Sequence, residues 1–464
     1  MTSPSKPQDL VERALEASTA DSCIVIVEEA SSANLRWAAN TLTTNGVTRS
    51  RRIVVISAVG GQTGTAAGVV SRTAIDLDTI NDVVRASELA ANDNSEAEDA
   101  QPIVGDAPAS ADWDEPPRQT DIGVFARFTP GLGDMLASAR VADRVIAGFA
   151  AHVLTSTYLG SSTGLRLRHD QPTGTVEITA RATDGGRSAW VGVGSPDFTD
   201  VDAAALDATL QQRLAWAQKR VRLEPGRYQT LLPPTAVADL MIYLYWTATA
   251  RDAHEGRTVF SRPGGGTRVG DRLSELPVTL RSDPAAPGLQ CAPFLVTAGS
   301  SSTTSVFDNG LPVGPVTWIR DGQLDSLITT RHSAALTGLP MRPVVDNLIL
   351  EAGSDGRDLD AMVASTDRGL LLTCLWYIRE VDPRTLLLTG LTRDGIYLID
   401  EGEVVGAVNN FRFNESPVDL LGRISEAGAT VPTLPREWND YFTRTAMPPL
   451  RIPDFNMSSV SPAE

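Results

Sequence analysis

The sequence predicts an α+β protein built from three units. These are a small N-terminal α/β domain over residues 1–92, an α+β middle domain over 122–225, and a β-rich C-terminal domain over 226–464 with one leading helix. Three observations predict this. Helical apolar spacing is confined to a few stretches, and most of the chain reads instead as β-branched alternation broken by turn dipeptides. Composition changes abruptly over 93–121, which reads as an acidic linker or loop. A length of 464 residues is also enough for about three domains.

In the first unit, Leu10, Val11, Ala14 and Leu15 give a helical apolar face behind Pro7. Residues 23–27 read as a short strand. Asn45-Gly46 is a tight-turn signal, because a two-residue hairpin needs positive φ at both positions. It predicts a hairpin between 35–42 and the strand 52–59, which Gly60-Gly61 ends. A helix over about 78–91 closes the unit. Asp93, Glu96, Glu98, Asp99, Asp106, Asp112, Asp114 and Glu115 then crowd together with Pro102, Pro108, Pro116 and Pro117. Arg118 is the one basic residue between Arg85 and Arg127, and such a composition fits a solvated linker.

In the middle unit, 135–152 carries helical spacing, and 153–159, 165–168, 176–182 and 189–193 alternate as strands. Asp184-Gly185-Gly186 supplies a turn. Residues 202–220 form a long amphipathic helix with Leu206, Leu210, Leu214 and Ala217 on one face. The third unit opens with a strand at 228–232, and Pro233-Pro234 leads into a helix over 235–253. Strands follow at 278–280, 316–319, 347–350, 369–378, 386–389, 395–399 and 403–408. Turns such as Asn309-Gly310, Asp321-Gly322 and Glu401-Gly402 separate them.

Asp and Glu number 57 against 40 Lys and Arg, a net charge of −17. So acidic a surface repels phosphate backbones and anionic lipid. Arg49, Arg51 and Arg52 come nearest to a basic block, and neither a nucleic-acid nor a membrane partner is expected. Cys23, Cys291 and Cys374 are sparse and far apart, which suits a reducing compartment rather than a disulfide scaffold. The first residues are polar, so no signal peptide is expected, and no apolar run reaches the length of a membrane span. The expected location is the cytoplasm.

The chemical motifs resolve to structural roles. His254-Glu255 is the sole His-Glu pair, but zinc ligands at i and i+4 need a second histidine where Thr258 stands. The pair reads as a surface loop. Gly160-Ser161-Ser162-Thr163-Gly164 matches G-x-S-x-G, yet a strand follows where a nucleophile elbow needs a helix. The adjacent His169-Asp170 does not complete a triad by sequence proximity. Gly264-Gly265-Gly266 and Gly60-Gly61-Gln62-Thr63-Gly64 lack a Gly-Lys-Ser/Thr ending and read as turns. Glu28-Glu29 and Asp400-Glu401 read as solvated strand ends, and Cys374 as a small buried hydrophobe. His152 and His332 stand alone, and there is no CxxC pair. No catalytic, cofactor-binding or metal-ligating residue is assigned.

Several runs nevertheless carry a resemblance. They are Glu28-Glu29-Ala30-Ser31-Ser32 within 26–38, then Leu42-Thr43-Thr44-Asn45-Gly46-Val47, then Phe307-Asp308-Asn309-Gly310-Leu311-Pro312. Near the end come Asp382-Pro383-Arg384-Thr385, Leu388-Thr389-Gly390, the run 393–405 and Asn410-Phe411-Arg412-Phe413. Through these, almost the whole chain resembles the TldD/PmbA family of zinc-dependent peptidases, in its TldE (PmbA) branch. The first two runs are similar to the family's opening strand and hairpin. The run 307–312 is similar to its Phe-Asp-x-Glu-Gly pattern, one residue shorter and with Asn309 where an acid is usual, and the last runs follow the family closely.

The resemblance implies that active members carry His-Glu-x-x-x-His on the first helix of the C-terminal domain, with a downstream cysteine, as zinc ligands. Here that helix, 235–253, has no histidine, and no cysteine falls near 390–394. The implied role is a non-catalytic TldE/PmbA-like subunit with no cofactor of its own. It pairs as a heterodimer with a TldD-like, HExxxH-bearing paralogue that holds the zinc, and together they act on unfolded peptides. Two alternatives stay open. One is a self-sufficient metallopeptidase with an unorthodox site around His254 and Glu255. The other is a non-enzymatic peptide-binding scaffold.

Overall fold

A computed structural model describes residues 5–61, 64–105, 107–353, 356–393 and 395–462. Its first half is built on one sheet. Helix α1 (Pro7–Ala17) leads into strands β1 (Ser22–Ala38), β2 (Thr41–Gly60) and β3 (Thr65–Thr73), followed by α2 (Ile80–Asp93). After the acidic segment come α3 (Phe128–Val141), β4 (Arg144–Ser161), β5 (Arg166–Ala182), β6 (Ser188–Gly194) and α4 (Ala203–Trp216). The strand order is β3-β2-β1-β4-β5-β6. Strands from 1–92 and from 122–225 therefore share one sheet, stitched by β1 on β4 from Ile24↔Ser161 to Trp37↔Gly148.

Alternation along β1 assigns its two faces. Val25 and Val27 pack beneath α1 and α2 with Leu10, Val55 and Val84. Farther along, Leu35 and Trp37 on the same side pack beneath α3 and α4 with Phe128, Leu132 and Leu210. Ile24 and Ile26 face the other way, onto Phe294, Val306 and Phe307 of the C-terminal half.

The structure corrects several expected boundaries. The first hairpin turns at Ala39-Asn40, both with positive φ (48° and 61°), not at Asn45-Gly46. Asn45 and Gly46 lie inside β2, opposite Leu35 and Asn34. A tertiary contact decides this: the Asn40 amide donates to the Arg144 carbonyl at 2.8 Å and accepts from the Ile146 N–H at 2.6 Å. The helix expected over 135–152 ends at Val141, and 144–152 belongs to β4. Buried Ile146, Ala150 and Leu154 lie four apart, a spacing that satisfies a helix face and one side of a strand alike. The two short strands expected at 165–168 and 176–182 are parts of β5, which runs unbroken through Pro172.

The acidic segment is an irregular loop pinned along the sheet. Ser110 and Thr120 donate backbone N–H groups to the Arg166 carbonyl and Ser31 Oγ. The Trp113 ring meets Tyr158 edge-on at 5.7 Å, and Arg168 pairs with Asp112. Toward the C-terminal half, Arg251 reaches Glu98 at 2.6 Å. Asp106 lies outside the described residues.

The C-terminal half begins with β7 (Arg220–Val221), β8 (Gly226–Leu232), α5 (Pro234–Thr247) and α6 (Ala250–His254). The helix expected over 235–253 thus divides. Thr249 breaks it and caps α6, its hydroxyl accepting the Asp252 N–H, while the flanking Ala248 carbonyl and Ala250 N–H pair with Ile328. The run 369–378 likewise splits into Arg368–Leu372 and Trp376–Asp382. Among the described residues, β7, β8 and the later strands form a six-stranded and a ten-stranded sheet, with β7 and β8 in the larger. Leu240 and Tyr245 of α5 share one core with Leu280, Trp318 and Leu350 of the first sheet and Leu370, Leu398 and Ile452 of the second. Apolar on nearly every side, α5 is a central helix. Among the described residues no helix is long and apolar enough to cross a membrane.

Candidate functional site

Helix α5 carries neither histidine nor cysteine. Asp239, its one carboxylate, is fully buried. Its Oδ1 accepts the Glu437 N–H at 2.8 Å, while Oδ2 is buried with no hydrogen-bond partner among the described residues. Burial pushes this carboxyl well above the ordinary aspartate range, and nearby Glu437 adds to the push. One turn on, Tyr243 and Trp246 meet Trp438 edge-on at 5.6 and 5.2 Å. The Trp438 indole N–H donates to the Asp239 carbonyl at 2.9 Å. This part of α5 is thus packed with rings and hydrogen-bonded main chain.

Arg436 and Glu437, beside Asp239, tie α5 to the N-terminal sheet. Arg436 lies 3.7 Å above the Trp376 ring and 5.0 Å from Trp190 of β6. It faces Glu177 at 3.6 Å, which also accepts the Trp190 indole N–H at 3.0 Å. Glu437 accepts the N–H groups of Tyr377 and Ile378 at 3.0 and 3.1 Å and holds Tyr377 at φ 52°.

Next to this seam polar contacts join the sheet to the C-terminal half. Arg444 pairs with Asp346 at 2.5 Å and donates to Thr173 of β5, and Gln171 donates to the Gln290 carbonyl at 3.1 Å. Asp346 keeps more than half of its side-chain surface open, yet protein surrounds it densely enough that burial raises its carboxyl. Desolvation lowers His169, which bonds Gln171 at 3.1 Å. Burial pushes the Cys291 thiol up to about 11, so it is not poised as a nucleophile.

The motifs singled out from sequence do not assemble. His254 ends α6 in solvent, and Glu255 is engaged by Arg251 at 3.1 Å and Arg257 at 2.6 Å. His152 bridges Thr120 Oγ1 and the Pro196 carbonyl, and His332 lies 3.8 Å from Glu98. Ser161 and Ser162 sit at the β4–β5 hairpin, where Ser162 Oγ accepts the Cys23 N–H. Gly264, Gly265 and Gly266 all take positive φ in a turn, and Cys374 is fully buried. Gln62, Thr63 and Asp394 lie outside the described residues. Among the described residues no three His, Cys, Asp or Glu side chains form a group able to hold a metal ion. Sequence reasoning missed the Asp239–Arg436–Trp376 seam; its one visible signal was a lone acid in an apolar helix.

Fold and site together define a class: an α+β protein in which a long antiparallel sheet meets a C-terminal half organised on a buried helix. The sequence matches the PmbA/TldA metallopeptidase C-terminal domain over residues 225–459 and the PmbA/TldA metallopeptidase central domain over 125–217, and the chain belongs to this TldD/PmbA family. No curated protein matches it in sequence. Among solved structures, TldE from Thermococcus kodakarensis superposes with a TM-score of 0.78 at 14% identity, covering 97% of this chain and 99% of that one. A candidate modulator of a DNA gyrase from Thermotoga maritima gives 0.75 at 14% identity, with 97% and 99% covered. Another from Bacteroides thetaiotaomicron gives 0.72 at 13%, with 98% of both covered. At such identities the likeness is one of fold.

Proposed function

We propose that this chain is the non-catalytic, TldE/PmbA-like subunit of a TldD/TldE-type zinc metallopeptidase that processes unfolded peptides in the cytoplasm. The observation that carries the reading is α5. The first helix of a metallopeptidase-family C-terminal domain here bears Asp239, Tyr243 and Trp246 among aliphatic residues and no zinc donor pair. Zinc and general base then belong to a paralogue with His-Glu-x-x-x-His. A shared fold permits a pseudo-two-fold pair, in which one half can lose its ligands and keep the interface. An extended peptide would add to a strand edge by its main chain, with little demand on side-chain identity.

Co-expression with the HExxxH paralogue of the same genome tests this. The expected result is co-purification, about one zinc per pair, and cleavage of an unfolded peptide by the pair, with neither zinc nor activity in the lone chain. Stoichiometric zinc and peptide cleavage in this chain alone would overturn the proposal, as would failure to associate with the paralogue.

A further inference from the structure

A cavity of about 610 Å³ opens in the C-terminal half, bordered by the segment 268–273, β8 and the approach to the short helix Pro417–Leu421. That volume suits a small molecule. Most charges around it already answer one another. Arg423 binds Glu415 and, at 2.6 Å, Asp454; Arg227 reaches Asp454 at 3.6 Å, and Arg268 reaches Asp271 at 3.2 Å.

Three groups are left over. Arg272 gives one guanidinium nitrogen to the carbonyls of Ser274 and Asp321, at 3.0 and 3.2 Å, and meets no carboxylate among the described residues. The Asp419 side chain is exposed and has no ion pair there either; its own N–H goes to Ser416 Oγ at 3.4 Å. Asn414 lines the same cavity, and its Oδ1 is buried with no hydrogen-bond partner among the described residues. Leu273, Leu387 and Val418 add apolar wall.

We propose that this cavity binds a small zwitterion, a free amino acid or a short peptide with both termini free. Arg272 takes the carboxylate and Asp419 the ammonium. A simple anion would meet the unpaired Asp419, and a simple cation the unpaired Arg272. A neutral apolar ligand would desolvate both without pairing either. A zwitterion satisfies the two together, and its side chain finds Leu273 and Val418. The inference requires neither a partner subunit nor zinc.

Calorimetric titration of the full chain with glycyl-leucine tests it, with leucine alongside to separate a dipeptide from a free amino acid. Saturable binding is expected. Blocking the carboxylate (glycyl-leucinamide) or the amine (N-acetyl-glycyl-leucine) should each weaken it about tenfold, the scale of one charge-assisted hydrogen bond. Arg272→Gln should lose the same factor toward glycyl-leucine and bind the amide no worse than the unsubstituted chain does. Asp419→Asn should behave likewise toward the acetylated peptide. Both substitutions sit at the surface, and circular dichroism checks that the fold is retained. Inorganic phosphate binding as tightly as the dipeptide, indifference to blocking, indifference to both substitutions, or no saturation in the millimolar range would each overturn the proposal.

Discussion

Asp239→Asn isolates the cost of a carboxyl buried in the middle of α5. Asparagine keeps the shape and can accept the same Glu437 N–H, which lies 2.8 Å from Oδ1. Either side chain leaves one buried polar group without a partner, a burden independent of pH. The difference between them is ionisation. Burial raises the native carboxyl well above its ordinary range, so over the intervening pH the folded chain holds a proton that the unfolded chain has released. Stability of the unsubstituted protein relative to Asp239→Asn is therefore unaffected below the unfolded pKa, about 3.9. It falls as pH rises from there toward the native pKa. The slope for one proton is about 1.4 kcal/mol per pH unit. Denaturant unfolding of both proteins from about pH 4 to about pH 6 should shift their difference in favour of asparagine as pH rises, by at most that amount per pH unit. A constant offset cancels in the comparison. A difference that stays flat over this window would show the carboxylate ionised inside the fold and refute the reasoning.

Other perturbations test the seam, the sheet and the thiols. Arg436→Ala removes a guanidinium stacked 3.7 Å from Trp376 and 5.0 Å from Trp190. It should cost about 2 kcal/mol and speed amide exchange in β6 and in Trp376–Asp382; unchanged protection there would count against the seam's holding the two together. Gly68→Ala would place a methyl carbon 2.0 Å from the Ser87 carbonyl oxygen and 2.3 Å from the Ala91 nitrogen. Helix α2 would have to lift from β3, so a loss of at least about 3 kcal/mol is expected in thermal unfolding, and a wild-type melting temperature would contradict the close approach. Burial pushes the Cys23 and Cys291 thiols up to about 11, and Cys374 is fully buried. A disulfide reagent at neutral pH should label none of the 3 cysteines until denaturant is added, and rapid native labelling would disprove their shielding.

Local preference explains what could be read in advance. Asp321-Gly322 and Glu401-Gly402 turn where expected, with φ of 47° and 82° and of 52° and 82°, because few residues tolerate those angles. Asp202 caps α4 by accepting two backbone N–H groups, as an acid at that position should. The same kind of reasoning placed the first hairpin turn at Asn45-Gly46, and there a better local signal lost to the hydrogen bonds that fix Asn40 against β4. Ile146, Ala150 and Leu154 could not separate helix from strand, because their spacing serves both; the pairing of β4 with β1 decided it.

By itself the sequence determined the α+β class, the acidic and cysteine-poor character, and a C-terminal helix without histidine. These depend on composition and on neighbours a few residues apart. The tertiary structure alone decided that strands on both sides of the acidic segment share a sheet and that this segment lies pinned along it. It also decided that Asp239 meets Glu437 across 198 residues of chain, and that Arg272, Asn414 and Asp419 border one cavity. Contacts of that range leave no periodicity in the chain. They follow from which buried surfaces and unpaired polar groups folding brings together, and only the assembled core settles that.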